Sequence, residues 1–212
     1  LPLIAAQPGI WMAEALSTLP NAWSVAHYVE LNGKIDGDQL ARAIVMGLSQ
    51  ADTLRMRFSE DNGEVWQWLD ESMAIAEPAC HDLRGESDPQ QAALAMMQRD
   101  LAQNSRVDSG NPLYCHQLFR VGDNQWFWYQ RYHHLLVDGF SFPAITRQIS
   151  LIYQALVTGD TLPEPAFTPF ADVVEEYQRY RDSEAYQRDG AFWAEQRRQL
   201  PSPVSLSSAP PG

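Results

Sequence analysis

Cysteine is nearly missing from this chain: Cys80 and Cys115 are its only two in 212 residues. Two thiols cannot form the dense cross-links on which small secreted folds depend, so free thiols and a cytoplasmic location are the simpler expectation. Long apolar runs are missing too. No stretch approaches the roughly 20 residues needed to cross a bilayer, and no basic segment followed by a cleavable apolar run opens the chain, so neither membrane insertion nor export is expected. Positive charge is scarce: 15 Lys and Arg stand against 27 Asp and Glu, a formal net charge of −12. Such a balance repels nucleic acid and anionic membrane surfaces, which are not expected partners. The candidates for a local basic patch, Arg99, Arg106, Arg197 and Arg198, read as solvated helix faces. No internal repeat is visible.

What is present suits a globular fold: 45% of residues are hydrophobic and 20% charged. Helical and strand periods alternate, which predicts an α/β architecture. Pro8 to Leu16 reads as a short helix, and Trp23 to Leu31 alternates apolar and polar residues as a half-buried strand does. Asp36 can cap a helix reaching Ser49, and Asp88-Pro89 opens another. Asp61-Asn62-Gly63 between Arg55–Phe58 and Glu64–Leu69 signals a hairpin, because Asn-Gly tolerates positive φ. A second hairpin joins Leu113–Val121 to Trp126–Tyr132 through Gly122-Asp123-Asn124. Ile145, Ile149, Ile152 and Leu156 give the helix beginning at Ser141 an apolar stripe that reads as core, and Thr168-Pro169 and Ser183 start two last helices. The run from Pro201 to Gly212 is rich in Pro and Ser and reads as a linker-like tail. With Leu1 at the start in place of an initiator Met, this suggests a segment of a longer polypeptide.

The chemistry concentrates in His133-His134-Leu135-Leu136-Val137-Asp138-Gly139, delivered at the end of the second hairpin. An imidazole accepts and returns a proton near neutral pH. Asp138 can fix an imidazole tautomer, as the third member of a triad does, or hold the turn closed. Gly139 permits a sharp turn and leaves room beside it. A metal site fits poorly, because no Cys lies nearby and sequence neighbours on an extended segment point to opposite faces; no metal is expected. Trp126, Trp128 and Tyr132 could form an aryl-binding wall, but strand aromatics are more often core.

The run from Tyr132 to Ser141 resembles the His-His-x-x-x-Asp-Gly signature of the condensation domains of nonribosomal peptide synthetases. Other segments agree in order and spacing. Ala6-Gln7-Pro8-Gly9-Ile10-Trp11 resembles the family's opening Ala-Gln-x-x-x-Trp motif, with Ile4 where Ser is usual and Gly9 where Arg is usual. Leu54-Arg55-Met56-Arg57-Phe58 resembles the Leu-Arg-Thr-x-Phe motif with Met56 replacing Thr, Pro169 to Asp172 resembles the Tyr-x-Asp-Phe region, and Phe192-Trp193 the helix after it. The family's later motifs, including an Asp-Phe-Gly-Trp-Gly loop, do not occur.

The resemblance implies a chloramphenicol acetyltransferase-like two-layer sandwich, with residues 1–200 as the N-terminal lobe of a two-lobe domain and 201–212 as the tail. It implies amide formation between an acyl or aryl thioester on a donor carrier protein and an aminoacyl thioester on a peptidyl carrier domain, within siderophore synthesis. The domain itself would bind no cofactor, since phosphopantetheine comes on the carriers. His134 would be the catalytic imidazole, as a general base or a positioning group. His133 would orient it, Gly139 would allow close approach, and Asp138 would pair with Arg55 to lock the turn. Without its second lobe the fragment would be inactive. Two rival readings are a coenzyme A-dependent acyltransferase of the chloramphenicol acetyltransferase type and a non-catalytic docking module for carrier proteins.

Overall fold

Period-2 and period-3.6 stretches take the elements they predict, in a computed structural model that describes residues 1–201; the tail at 202–212 lies outside the described residues. Helix α1 (Gln7–Leu16) leads into strand β1 (Ser24–Asn32) and helix α2 (Gly37–Ser49). Asp36 caps α2 by accepting the Gln39 N–H at 3.0 Å, and Asp88 caps α3 (Pro89–Leu101) by accepting that of Gln91 at 3.1 Å. Between them, β2 (Met56–Asp61) and β3 (Glu64–Leu69) form a separate hairpin whose turn holds Asn62 at φ 52° and Gly63 at φ 82°.

The main sheet adds β4 (Ala79–Asp82), β5 (Tyr114–Gly122) and β6 (Gln125–His133) in the order β1-β6-β5-β4. β6 is central and antiparallel to both neighbours, whereas β4 runs parallel to β5. On one face α2 and α4 (Ser141–Thr158) bury Leu40, Ile44 and Leu48 with Ile145, Ile149 and Ile152 against Leu118, Trp128 and Tyr132. Side chains of this size stabilise by about 1.5–3 kcal/mol each when fully buried. The two helices meet closely at Gly47, where an added Cβ would run into Ile149. The opposite face packs Phe119, Val121, Phe127 and Tyr129 against Ala93 and Met97 of α3. Helices α5 (Phe170–Arg181) and α6 (Glu184–Gln199) follow, with Ser183 capping α6.

Trp128 and Tyr132, at 2% and 0% exposure, are therefore core and form no aryl-binding wall. Arg106 departs from its expected place on a solvated helix face: it precedes a 3₁₀ turn and donates to the Glu14 and Ser17 carbonyls at 2.9 and 3.2 Å, pinning the end of α1. No described helix is long and apolar enough to cross a membrane.

Candidate active site

Strand β6 ends at His133, and the chain then turns so sharply that its two histidines part company. The His133 N–H donates to the Leu113 carbonyl just before β5 at 2.7 Å, and the His134 N–H to the Trp23 carbonyl beside β1 at 2.8 Å. The turn closes where the Leu136 N–H reaches the His133 carbonyl at 2.9 Å.

His133 is buried, and both ring nitrogens are engaged. Its Nδ1 faces the Leu135 N–H at 3.1 Å, a group that can only donate, and its Nε2 faces a Glu14 carboxylate oxygen at 2.5 Å. The partners assign the proton to Nε2 and leave Nδ1 as the acceptor. Burial would raise the Glu14 carboxyl, but the bonds from His133 and from the Val107 N–H, with the positive charge of Arg106 nearby, hold it below the usual carboxylate value. Nothing in the sequence singles out Glu14, a lone acid in an apolar helix.

His134 is half-buried, and its Nδ1 lies 3.2 Å from the Val137 carbonyl. A carbonyl only accepts, so the proton belongs on Nδ1 and Nε2 keeps its lone pair free. The ring lines a cavity of about 650 Å³ with largely apolar walls that include Ile10, Val137, Ile145, Phe167 and Phe170. Gln7 braces the turn from α1, donating to the Leu135 carbonyl at 3.0 Å while exchanging amide hydrogen bonds with buried Gln67. Beside it Ala5 sits at φ 49°, a left-handed conformation unusual for a residue with a Cβ.

Asp138 and Arg55 do not form the expected lock. Asp138 caps its own turn, accepting the Phe140 and Ser141 N–H groups at 3.0 and 2.8 Å and the Ser141 hydroxyl at 2.6 Å. Those bonds, led by the hydroxyl, lower its carboxyl below the ordinary value. Arg55 instead donates to Asp52 at 3.1 Å, within a 3₁₀ turn that brings the two side chains together at i, i+3. The other Asp52 oxygen accepts the Phe170 N–H at 3.2 Å, tying the start of α5 to the cavity rim. Arg55 thus contacts Asp52, a residue of the cavity lining. Gly139 also differs from expectation: it lies outside the left-handed φ region, so the turn does not require glycine, although the space beside it is open. Trp11 and Phe58, from two of the motifs, pack with ring centroids 6.3 Å apart and join α1 to β2. Among the described residues no group of three or more His, Cys, Asp or Glu could hold a metal ion.

Known proteins match this chain in sequence and in fold. A family model described as the condensation domain matches residues 1–210. Enterobactin synthase component F of Escherichia coli O157:H7 is 70% identical over 99% of this chain, which spans 16% of that protein. Vanchrobactin synthetase VabF of Vibrio anguillarum is 36% identical over 98% of the chain and 7% of its own length. Among solved structures, the starter condensation domain of rhizomide synthetase RzmA superposes with a TM-score of 0.82 at 32% identity, covering 92% of this chain and 47% of that one. VibH, a condensation enzyme, superposes with a TM-score of 0.80 at 29% identity, over 94% of this chain and 45% of its own. The chain thus spans about half the length of the solved relatives, and far less of the whole synthetases. Its fold is that of these chloramphenicol acetyltransferase-like enzymes, and the chain belongs to the condensation-domain family of nonribosomal peptide synthetases.

Proposed function

We propose that this chain is the N-terminal lobe of a condensation domain that forms amide bonds in the assembly of an enterobactin-type siderophore. The observation that carries the reading is the His134 ring, whose Nδ1 is bonded to the Val137 carbonyl while Nε2 remains available at the cavity. An acceptor nitrogen in that place suits an attacking amine. As the amine nitrogen bonds to the thioester carbonyl carbon, Nε2 takes the proton that the nitrogen must shed. The carbon–sulfur bond then breaks and the departing thiolate takes up a proton. General-base help of this kind contributes about 10²–10⁴ in rate, and holding two tethered reactants together contributes more.

Both reactants arrive as thioesters on phosphopantetheine arms, an aryl or acyl donor on one carrier protein and an aminoacyl acceptor on a peptidyl carrier domain. The domain contributes no cofactor of its own. A second lobe of similar size, supplied by the rest of the polypeptide, faces His134 and excludes bulk water; alone, this chain leaves the imidazole on an open face and does not condense. The deciding measurement is amide formation between loaded donor and acceptor carriers, by the full-length synthetase and by this chain alone. Amide from the full-length protein only is expected. Carrier binding without amide, or transfer to a hydroxyl from an acyl-coenzyme A, would replace the reading with a docking module or a free-standing acyltransferase.

A further inference from the structure

The bond between Glu14 and His133 has no obvious structural necessity. An apolar pair would fill the same space without burying a carboxylate, and 9% side-chain exposure for Glu14 is unusual for an acid. Both carboxylate oxygens of Glu14 are engaged: one takes the His133 Nε2–H at 2.5 Å, the other takes the Val107 N–H at 2.9 Å. The charge is buried against donors and needs no counter-ion in direct contact. What this achieves is a defined proton position. With Nε2–H donating to a carboxylate, His133 cannot adopt the other tautomer, and its Nδ1 stays available to accept the Leu135 N–H at 3.1 Å. In the other tautomer two N–H groups would face each other and the turn would open at Leu135, one residue beyond His134. The Leu135 carbonyl is held separately by Gln7 of the same helix at 3.0 Å, so α1 grips the turn through both polar groups of that peptide neighbourhood.

Resting on the condensation reading above, we propose that Glu14 is a positioning residue for that reaction: by fixing the tautomer of His133 it sets the turn, and thereby the direction in which His134 presents Nε2 to the cavity. Glu14 touches neither substrate nor the reacting atoms. Its influence passes through one imidazole, which makes the claim separable from a general role in folding.

The test is a double-mutant cycle in the full-length synthetase, following steady-state amide formation between loaded carriers, with His134→Ala as control. Glu14→Ala is expected to lower kcat on the order of 10²-fold, the loss that a misplacement of about 1 Å can cause, with KM for the carriers unchanged. In a His133→Ala background the same substitution is expected to add no further loss. If Glu14→Ala does not fold, Glu14→Gln combined with His133→Asn carries the cycle. Asn offers an acceptor near the Nδ1 position for the Leu135 N–H but nothing for Glu14, so His133→Asn is expected to recover part of the rate lost in His133→Ala and to be indifferent to Glu14→Gln. A Glu14 variant with kcat within about twofold of the parent, or losses that multiply across the cycle, overturns the proposal. A parent synthetase that forms no amide between loaded carriers overturns the condensation reading and this inference with it, whereas full amide formation by His134→Ala removes the group that Glu14 would position and overturns this inference alone. A parent that condenses, a dead His134→Ala and a multiplicative cycle overturn this inference alone.

Discussion

The middle of the sheet and the end of β6 both bury an imidazole, and they use it in opposite ways. His116, on β5, has its Nδ1 facing the Trp128 indole N–H at 3.1 Å and its Nε2 against the Tyr132 hydroxyl at 2.8 Å, and that hydroxyl donates in turn to Gln130 at 3.2 Å. No carboxylate touches this ring. Burial, with His27 nearby, pushes it down from 6.5 to about 3, so it is a neutral core residue that happens to hydrogen-bond. His133 is as deeply buried, yet its partner is an ionised acid and its other nitrogen holds the backbone beside His134. Burial alone therefore does not distinguish a structural histidine from one that serves a site. The partner does, together with what lies one residue away.

The difference should show most strongly at His134, whose Nδ1 is held by the Val137 carbonyl at the cavity. In the full-length synthetase His134→Ala is expected to slow amide formation by about 10²–10⁴, the worth of a general base. Its thermal midpoint should barely move, because the ring faces a cavity and not the core. A rate within a few-fold of the parent would show that positioning alone drives the reaction.

The face of the sheet beneath α3 offers the converse case. Arg131 and Asp100 form a buried bidentate pair at 2.6 and 3.3 Å, and the Tyr129 hydroxyl adds a third bond to Asp100 at 2.8 Å. Asp100→Ala leaves the guanidinium buried without its counter-charge and is expected to cost about 3–5 kcal/mol of stability. Urea unfolding measures that loss. Amide formation per folded molecule should stay at the parent rate, since the pair builds the scaffold on the face away from α4.

His116 adds a pH signature of its own. Below 6.5 the unfolded chain protonates this imidazole while the folded chain does not until about pH 3, so its contribution to stability is complete above 6.5 and is lost as pH falls toward 3. The slope approaches about 1.4 kcal/mol per pH unit. His27, also lowered by burial, acts in the same direction, whereas Glu14 loses its own contribution only below its ordinary 4.5. Urea midpoints between pH 6.5 and 4.5 thus isolate the imidazoles, and His116→Gln should flatten the slope. An unchanged slope would place the titration elsewhere.

Much of this was readable in the sequence, and the failures have physical causes. The caps at Asp36, Asp88 and Ser183, the Asn62-Gly63 turn and the Ile145-Ile149-Ile152 stripe are local signals, and the structure uses each of them. Strand β4 was illegible: Ala-Cys-His-Asp is short, lacks alternation and is a strand only because β5 runs parallel beside it. The strand order and the separation of the β2–β3 hairpin likewise depend on partners distant in sequence. The histidine pair announced the site, but Glu14 did not, because an acid within a helix normally marks its solvent face. The resemblance supplied Arg55 and Asp138 together, and the structure gives each a nearer partner.

That last point yields the smallest and most discriminating effect. A charge pair across the turn would couple the two residues, and removing either would strand the other. Arg55 instead meets Asp52 with both side chains about one-fifth exposed, and Asp138 spends its carboxylate on Phe140 and Ser141. Asp138→Asn keeps an oxygen for those donors but loses its charge, which lowers thermal stability modestly, by about 1 kcal/mol or less as for other caps. Arg55→Ala removes a mostly buried pair at the surface edge, of comparable worth. Because the two residues share no partner, their effects should add to within about 0.3–0.5 kcal/mol in a double-mutant cycle on unfolding free energy, while Arg55→Ala and Asp52→Ala should deviate from additivity. Strong coupling between positions 55 and 138 would mean that the turn rearranges to bring Arg55 onto Asp138, and that the self-capped Asp138 is only one of its states.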